Sequence, residues 1–297
     1  MTYLEVPTPD GRTLEVLTGG DPDGRTWLFH SGSPSAAVPY APIDRVAADL
    51  GLRMVTYSRP GYGASTPREL PADGPRFAHD VADVVAVLDH LGAEEFVTLG
   101  WSGGGPRALA CAALLPQRCR AAASLAGVAP HDAEGLDWSA QMAPENVAEY
   151  AAARAGAETY AAYLTTDFLP VLQAGVDDLV AEMGGLLTPV DRAALTGEHA
   201  VWVAETFRRA AAQGVRGVRD DGLACVAPWG FDLASITVPV AIWQGRQDAM
   251  VPYQHGVWLA EHVPGAQAHL LEDEGHLSLV NRLDEIVADL KRLADWS

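Results

Sequence analysis

Residues 96–105 read FVTLGWSGGG, and this stretch decides both the fold and the candidate site. Its first four residues form an apolar run typical of a buried strand, and a helical pattern follows over residues 106–115. Between them lies a Gly-x-Ser-x-Gly pattern centred on Ser102, and a strand, a sharp turn and a helix in this order are typical of a nucleophile elbow. A Gly-rich turn that binds phosphate is the alternative, but the Gly-Lys-Ser/Thr ending of a Walker loop is absent.

Short β-rich runs alternate with helical patterns on both sides of this stretch, which predicts an α/β fold with a mostly parallel sheet covered by helices. The chain begins differently, because the turn sequence Pro9-Asp10-Gly11 joins two strand patterns and predicts an antiparallel hairpin. A helix over residues 81–91 is expected to end at Gly92. The eight predicted strands are residues 2–6, 12–17, 27–30, 53–57, 96–99, 122–125, 240–244 and 268–271.

The alternation stops between residues 131 and 228, where Ala-rich helical patterns follow one another without a convincing strand. These patterns cover residues 145–163, 168–183 and 191–212. We interpret the segment 131–228 as an all-helical cap inserted into a single core. Residues 1–130 and 229–297 form that core in this interpretation.

A serine hydroxyl is a weak nucleophile, so Ser102 requires a histidine base and an acid that orients it. His276 follows the last predicted strand and Asp248 follows the strand before it, which places both at the carboxyl edge of the sheet beside Ser102. The chain order Ser, Asp, His is the order expected for this architecture. Asp248 could instead cap the turn that follows it, and Asp132 is the rival acid.

The tetrahedral intermediate of acyl transfer needs two N–H donors aimed at its oxygen. One should be the backbone of Gly103, the residue after the nucleophile. The other should come from the loop after the strand at residues 27–30, where the sequence reads Ser31-Gly32-Ser33-Pro34. We assign this second donor to the N–H of Ser33, with Gly32 as the near alternative.

Three segments together resemble the α/β-hydrolase superfamily, specifically the cap-bearing branch that includes proline iminopeptidase-like enzymes and small-molecule esterases. Residues 30–35 resemble its H-G-x-P oxyanion loop, residues 57–65 resemble its D-x-R-G-x-G-x-S loop, and residues 100–104 resemble its elbow. Two positions depart from these patterns. Ser31 stands where the first motif usually has His, with His30 as a substitute brace, and Ser58 stands where the second usually has Asp, so an Asp–Arg pairing is missing.

The resemblance implies acyl transfer to water, because relatives that act on haloalkanes or epoxides use aspartate at the elbow. It also implies that the cap sets the substrate, and we expect Trp101, His30 and Gly32 in the substrate pocket. The favoured substrate is an ester of a small, fairly apolar molecule. The alternatives are a lactone or carbon–carbon bond hydrolase, a non-catalytic ligand-binding protein, and an aminopeptidase whose substrate ammonium would need acidic cap residues such as Glu145, Glu149, Glu158, Glu198 and Glu205.

The composition and net charge exclude several classes of binding partner. The chain has 297 residues and a formal net charge of −19, and a surface of that sign repels nucleic acid and anionic lipid. It has no apolar run long enough to span a bilayer and no apolar N-terminal signal. Its 3 widely spaced cysteines predict neither disulfides nor a zinc site. We therefore expect a cytoplasmic protein that acts on a small molecule without a metal or other cofactor, in an oligomeric state the sequence leaves open.

Overall fold

In a computed structural model, which describes residues 1–72 and 74–296, eight strands form one sheet in the order β1-β2-β4-β3-β5-β6-β7-β8. Strands β1 and β2 form an antiparallel hairpin, β2 pairs antiparallel with β4, and every other pair in the sheet is parallel. The predicted fold class is confirmed. The strands are β1 Thr2–Pro7, β2 Thr13–Gly20, β3 Arg25–His30, β4 Leu52–Tyr57, β5 Phe96–Trp101, β6 Cys119–Leu125, β7 Val240–Gly245 and β8 Gln267–Leu271.

Helices cover both faces of the sheet. Successive side chains of a strand point to opposite faces, so Trp27 and Phe29 of β3 belong to one apolar layer while Leu28 belongs to the other. The helices are α1 Ala41–Asp49, α2 Val81–His90, α3 Gly105–Leu114, α4 Pro144–Arg154, α5 Ala157–Tyr163, α6 Leu169–Leu172, α7 Val176–Glu182, α8 Pro189–Ala194, α9 Gly197–Ala210, α10 Arg216–Cys225, α11 Tyr253–His262 and α12 Leu283–Leu293. None of the described helices is both long and apolar enough to cross a membrane.

The helices α4 to α10 lie between β6 and β7, and we call residues 131–228 the helical insertion. All of its residues are described, and none of them lies in a strand. Its predicted helices are too long, however. Gly156, at a φ of 111°, separates α4 from α5, and Gly197, at a φ of 54°, begins α9 after a break from α8. The Ala-rich sequence hides these breaks because alanine favours a helix wherever it stands.

The parallel strands direct their carboxyl ends to one edge of the sheet. The backbone pairing of His30 in β3 with Gly100 in β5 brings the ends of these two central strands level. Gly245, at the end of β7, is likewise paired with Leu271 at the end of β8. The loops that carry the predicted site residues therefore leave the sheet at the same edge, where ligands bind in open α/β sheets.

Candidate active site

Ser102 sits in a strained turn between β5 and α3. Its φ of 56° lies in the left-handed region, which a residue with a side chain adopts only where the surrounding structure imposes it. The close approach of strand and helix explains the glycines around it. A Cβ on Gly100 would overlap the carbonyl group of Gly104, and a Cβ on Gly104 would overlap the carbonyl group of His30. The local geometry is that of a nucleophile elbow.

His276 and Asp248 meet beside this turn. The His276 Nδ1–H donates to Asp248 Oδ2 over 2.7 Å, and both side chains are buried. The same carboxylate accepts a hydrogen bond from Gln244 Nε2, and its other oxygen accepts the backbone N–H groups of Met250 and Val251, each at 2.8 Å. Asp248 therefore caps the turn that follows it and orients the imidazole at the same time. The two interpretations considered from the sequence are compatible.

The environment of His276 raises the pKa of its imidazole above the usual value. Burial alone lowers that pKa, but the charge of Asp248 and its hydrogen bond to the ring outweigh the effect, with a further contribution from Asp191. Because Nδ1 carries the proton that Asp248 accepts, the Nε2 lone pair is left as the basic site. The imidazole is thus prepared to take a proton from a neighbouring hydroxyl.

The rival acid Asp132 lies elsewhere. Its side chain is exposed and lines a surface groove together with Trp258 and His262. Within the described residues it makes no hydrogen bond or ion pair with His276. The geometry therefore favours Asp248 as the partner of the histidine.

Ser102 and His276 line one cavity at the sheet edge, together with Trp101. In the described chain no hydrogen bond joins the Ser102 hydroxyl to the imidazole, and such catalytic hydrogen bonds often tighten only when substrate binds. The Trp101 indole N–H donates to the carbonyl oxygen of His276 over 3.3 Å, and the two rings lie 5.6 Å apart. Trp101 therefore lines the same cavity as Ser102 and also contacts the loop of the histidine.

The loop after β3 packs directly against the elbow. A Cβ on Gly103 would lie 3.4 Å from the backbone nitrogen of Ser33, and a Cβ on Gly32 would lie 3.1 Å from Ser102 Cβ. No acceptor among the described residues takes the Ser33 N–H, and the Gly103 N–H lies in the first turn of a helical segment, where backbone donors lack intrahelical partners. Both predicted donors thus lie beside Ser102, and Gly32 allows the close approach.

His30 is the exception among the predicted pocket residues. It is 2% exposed and faces the interior, where its Nε2 lies 3.7 Å from Cys111 Sγ and its ring contacts Tyr57 edge-on. Burial lowers the pKa of His30 to about 3, so the ring is neutral. The expectation that His30 lines the pocket is wrong, because the last residue of β3 directs its side chain into the layer under α3.

Arg59, and not His30, braces the oxyanion loop. Its guanidinium donates to the carbonyl oxygens of Ser31 and Gly32, at 2.8 and 2.7 Å. The same guanidinium forms a buried ion pair of 2.6 Å with Asp221 of α10, and Asp221 also accepts the Ser33 hydroxyl at 2.5 Å. The expectation that an Asp–Arg pairing is missing because of Ser58 is therefore wrong: Arg59 pairs with a carboxylate that the insertion supplies.

A second arginine extends this cluster to the other side of the elbow. Arg107 of α3 donates to Asp221 at 2.5 Å, to Asp80 at 2.7 Å and to the carbonyl oxygen of Gly103 at 2.6 Å. All three side chains are buried. The backbone segments that carry both predicted oxyanion donors are therefore fixed by arginines that share one carboxylate. The sequence offered no signal for this cluster, because Asp221 stands far along the chain from its partners.

A larger cavity continues from Ser102 and Ser33 into the insertion. Its polar side chains include those of Asn146, Glu149 and Tyr150, all from α4. Burial raises the pKa of Glu149 to about 7, although a 2.5 Å hydrogen bond from the Tyr160 hydroxyl opposes that rise. The apolar walls include Phe168, Val171, Met183, Leu186, Phe207 and Val218. This cavity is suited to a small, mostly apolar group attached to the reacting centre.

Comparison with known proteins agrees with this geometry. A family model described as the alpha/beta hydrolase fold matches residues 28–283. The chain is 28% identical to a 2-hydroxy-6-oxononadienedioate/2-hydroxy-6-oxononatrienedioate hydrolase of Cupriavidus pinatubonensis, over 84% of this chain and 80% of the relative. It is 30% identical to a pimeloyl-[acyl-carrier protein] methyl ester esterase of Chromobacterium violaceum, over 83% and 86% of the two chains. A bromoperoxidase structure from Bacillus anthracis superposes with a TM-score of 0.74 at 19% identity, covering 98% and 100% of the two chains.

Proposed function

Because the chain belongs to the alpha/beta hydrolase family, we propose that it is a serine hydrolase whose nucleophile is Ser102. The observation that carries this proposal is the buried His276–Asp248 pair, whose imidazole opens into the same cavity as a serine held in a strained turn. A protein that only binds a ligand has no need for an acid, a base and an elbow in this arrangement. The expected activity is hydrolysis without a cofactor.

In the proposed mechanism, the Ser102 hydroxyl attacks the carbonyl carbon of the substrate while His276 Nε2 takes its proton. Asp248 holds the tautomer in which Nε2 is basic and stabilises the imidazolium that forms. The backbone N–H groups of Gly103 and Ser33 donate to the oxyanion. His276 then returns the proton to the leaving group, and a water molecule activated by the same imidazole hydrolyses the acyl-enzyme.

The substrate that we propose is a carboxylic ester of a small, fairly apolar molecule. The apolar walls of the cavity beside Ser102 support this choice, and the helical insertion acts as the cap that forms them. The name of the Chromobacterium relative, a methyl ester esterase, points in the same direction. Lactones and activated carbon–carbon bonds are further candidates, because the same three side chains can hydrolyse them.

Glu149 favours one second candidate, an aminopeptidase. Its carboxylate lies in the same cavity as Ser102, and the described residues place no basic side chain within ion-pairing distance of it. A substrate ammonium group would supply the missing positive charge and would keep the carboxylate ionised. Of the acidic residues of the insertion considered from the sequence, Glu149 is the one that lines this cavity.

A fluorophosphonate probe tests the hydrolase itself. We expect the folded protein to be labelled at Ser102 and the Ser102→Ala variant to stay unlabelled. Failure to label the folded parent protein would remove the serine-hydrolase proposal and leave a ligand-binding protein as the better interpretation.

A substrate panel separates the two candidates. It compares nitrophenyl esters of increasing acyl length with prolyl and alanyl arylamides, for both the parent protein and the Glu149→Gln variant. An esterase should prefer the esters and keep its kcat/KM in the variant. An aminopeptidase should prefer the arylamides, and the variant should raise their KM while ester hydrolysis changes little, because only the ammonium interacts with the carboxylate.

A further inference from the structure

A second buried carboxylate from the insertion lies against the loop of the histidine. Asp191 of α8 is fully buried and accepts three consecutive backbone N–H groups. Its Oδ2 accepts the N–H of His276 at 3.1 Å, and its Oδ1 accepts those of Leu277 at 2.8 Å and Ser278 at 3.1 Å. The hydroxyl of Thr188 donates to Oδ2 at 3.0 Å. Every one of these donors is neutral, and no side chain among the described residues forms an ion pair with Asp191. The His199 imidazole of α9 lies near enough that the charge of Asp191 raises its pKa, although burial lowers that pKa more strongly.

The loop is shaped to receive this side chain. A Cβ on Gly275 would lie 2.5 Å from Asp191 Oδ1, so any larger residue there would displace the carboxylate. The three donors belong to the residue that bears the imidazole and to the two that follow it, where a short 3₁₀ helix, Ser278–Arg282, begins. Fixing these three peptides fixes the backbone from which the imidazole projects into the cavity.

We propose that Asp191 is a positioning residue for the base, through which the insertion holds His276 in its reactive orientation and stabilises the imidazolium. This inference rests on the proposed serine hydrolase mechanism and deepens it. The role differs from that of Asp248, which binds the ring itself. Asp191 acts through the backbone and through its charge.

The charges around the imidazole agree with this role. Among the described residues, the charges that act on the His276 imidazole are those of Asp248, from the loop after β7, and Asp191, from α8, while the Trp101 ring that contacts it is neutral. Both carboxylates raise the pKa of the imidazole, against the opposing effect of burial. When His276 takes the proton of Ser102, the positive charge develops between two fixed negative charges in a site of low polarity, where such interactions are strongest.

The main test compares the parent protein with Asp191→Asn, which keeps the size of the side chain but removes its charge and one acceptor. Two quantities are measured: the pH profile of the rate constant for fluorophosphonate labelling of Ser102, and the pKa of His276 followed directly by NMR. We expect labelling to slow by about 100-fold, the loss that a small misplacement of a catalytic group can cause. We also expect the pKa of His276 to fall.

Two further variants control the test. Asp177→Asn makes the same charge change on an exposed residue of α7, and both measurements should remain at the parent values. Thr188→Val keeps the Asp191 carboxylate and removes only one neutral hydrogen bond, so it should slow labelling by about fivefold. If Asp191→Asn does not fold, Thr188→Val alone tests whether Asp191 positions His276.

The outcomes separate this inference from the proposed function. A parent protein that labels normally, with an unchanged rate and an unchanged His276 pKa in both Asp191→Asn and Thr188→Val, would overturn the role of Asp191 and leave the hydrolase intact. A parent protein that does not label would overturn the hydrolase. In that case the NMR measurement alone still judges whether Asp191 acts on His276, and an unchanged pKa counts against it.

Discussion

Replacing Asp221 with alanine should destabilise the protein by about 3–5 kcal/mol, the cost of removing one partner from a buried ion pair. The structure shows why the value should reach this range. Arg59 and Arg107 are both buried and both pair with Asp221, and Arg107 also pairs with Asp80, which in turn pairs with Arg68. Among the described residues, Asp221 is the only carboxylate that pairs with Arg59. The variant leaves one positive charge in the interior without compensation, and the Tyr62 hydroxyl loses its acceptor as well.

Urea unfolding of the parent protein and of two variants measures this cost. The matched control is Asp220→Ala, because Asp220 is adjacent in α10 but less buried and pairs with its neighbour Arg219 instead of the cluster. We expect the control to lose less than about 1 kcal/mol. If Asp221→Ala also loses less than about 1 kcal/mol, the assignment of the cluster as a major stabilising contact between insertion and core is refuted.

The pH dependence of this difference in unfolding free energy provides a second test. Burial opposes the charge of Asp221, but the two arginines outweigh it and lower its pKa from 3.8 to about 2. A depressed carboxylate pKa stabilises the folded state fully above the unfolded-state value, and that contribution disappears as the pH falls through the folded-state value. The stability gap between the parent protein and Asp221→Ala should therefore be constant above about pH 5 and shrink between pH 4 and 2.

Three further predictions concern the reaction. Asp248→Asn should lower kcat by about 10⁴-fold, the effect of the corresponding change in serine proteases, whereas Asp132→Asn should leave it unchanged; the opposite result would reassign the acid. The pKa of His276 is raised above 6.5, and the imidazole must be neutral to act as the base. We therefore expect kcat/KM to decrease as the pH is lowered, with an apparent pKa above 6.5. A profile that is flat down to pH 5 would contradict this role. Gly32→Ala should lower kcat by about 100-fold, because its Cβ would press on Ser102 Cβ at 3.1 Å; an active variant would show that the loop yields without cost.

The strands were predictable because each is a short apolar run bounded by turn residues. All eight occur where the sequence places them, with ends that shift by up to three residues. The central strand β5 illustrates the reason, since every one of its residues is buried and no competing helical pattern fits so short a run. The positions of Asp248 and His276 were predictable for a related reason. Parallel strands end at one edge, so residues that follow neighbouring strands are close in space however far apart they are in sequence.

The contributions of the insertion were not predictable. Asp191 and Glu149 lie in Ala-rich helical patterns where acidic residues usually form the solvated face, and Asp221 lies in α10, which none of the predicted helices covers. What decides their burial is how the insertion docks on the core, and this depends on contacts between segments separated by more than 80 residues, such as those of Asp191 with the histidine loop. Periodicity within one helix contains no information about such contacts. The placement of His30 failed for a similar reason, because the loop motif fixed its position in the chain but not the layer into which it points.

The insertion contacts the loops on both sides of the site. These contacts limit how the insertion can move away from the core. Asp221 is bound to the oxyanion loop and Asp191 to the histidine loop, each through several buried hydrogen bonds. Lifting α10 from the core would break the contacts with the loop after β3, and lifting α8 would break those with the histidine loop. The segment 168–183 differs, because the side chains that it directs into the cavity, those of Phe168, Val171 and Met183, are apolar. If the proposed function is right, we therefore expect α8 and α10 to stay docked on the core during the reaction, so that the insertion does not behave as a separable lid.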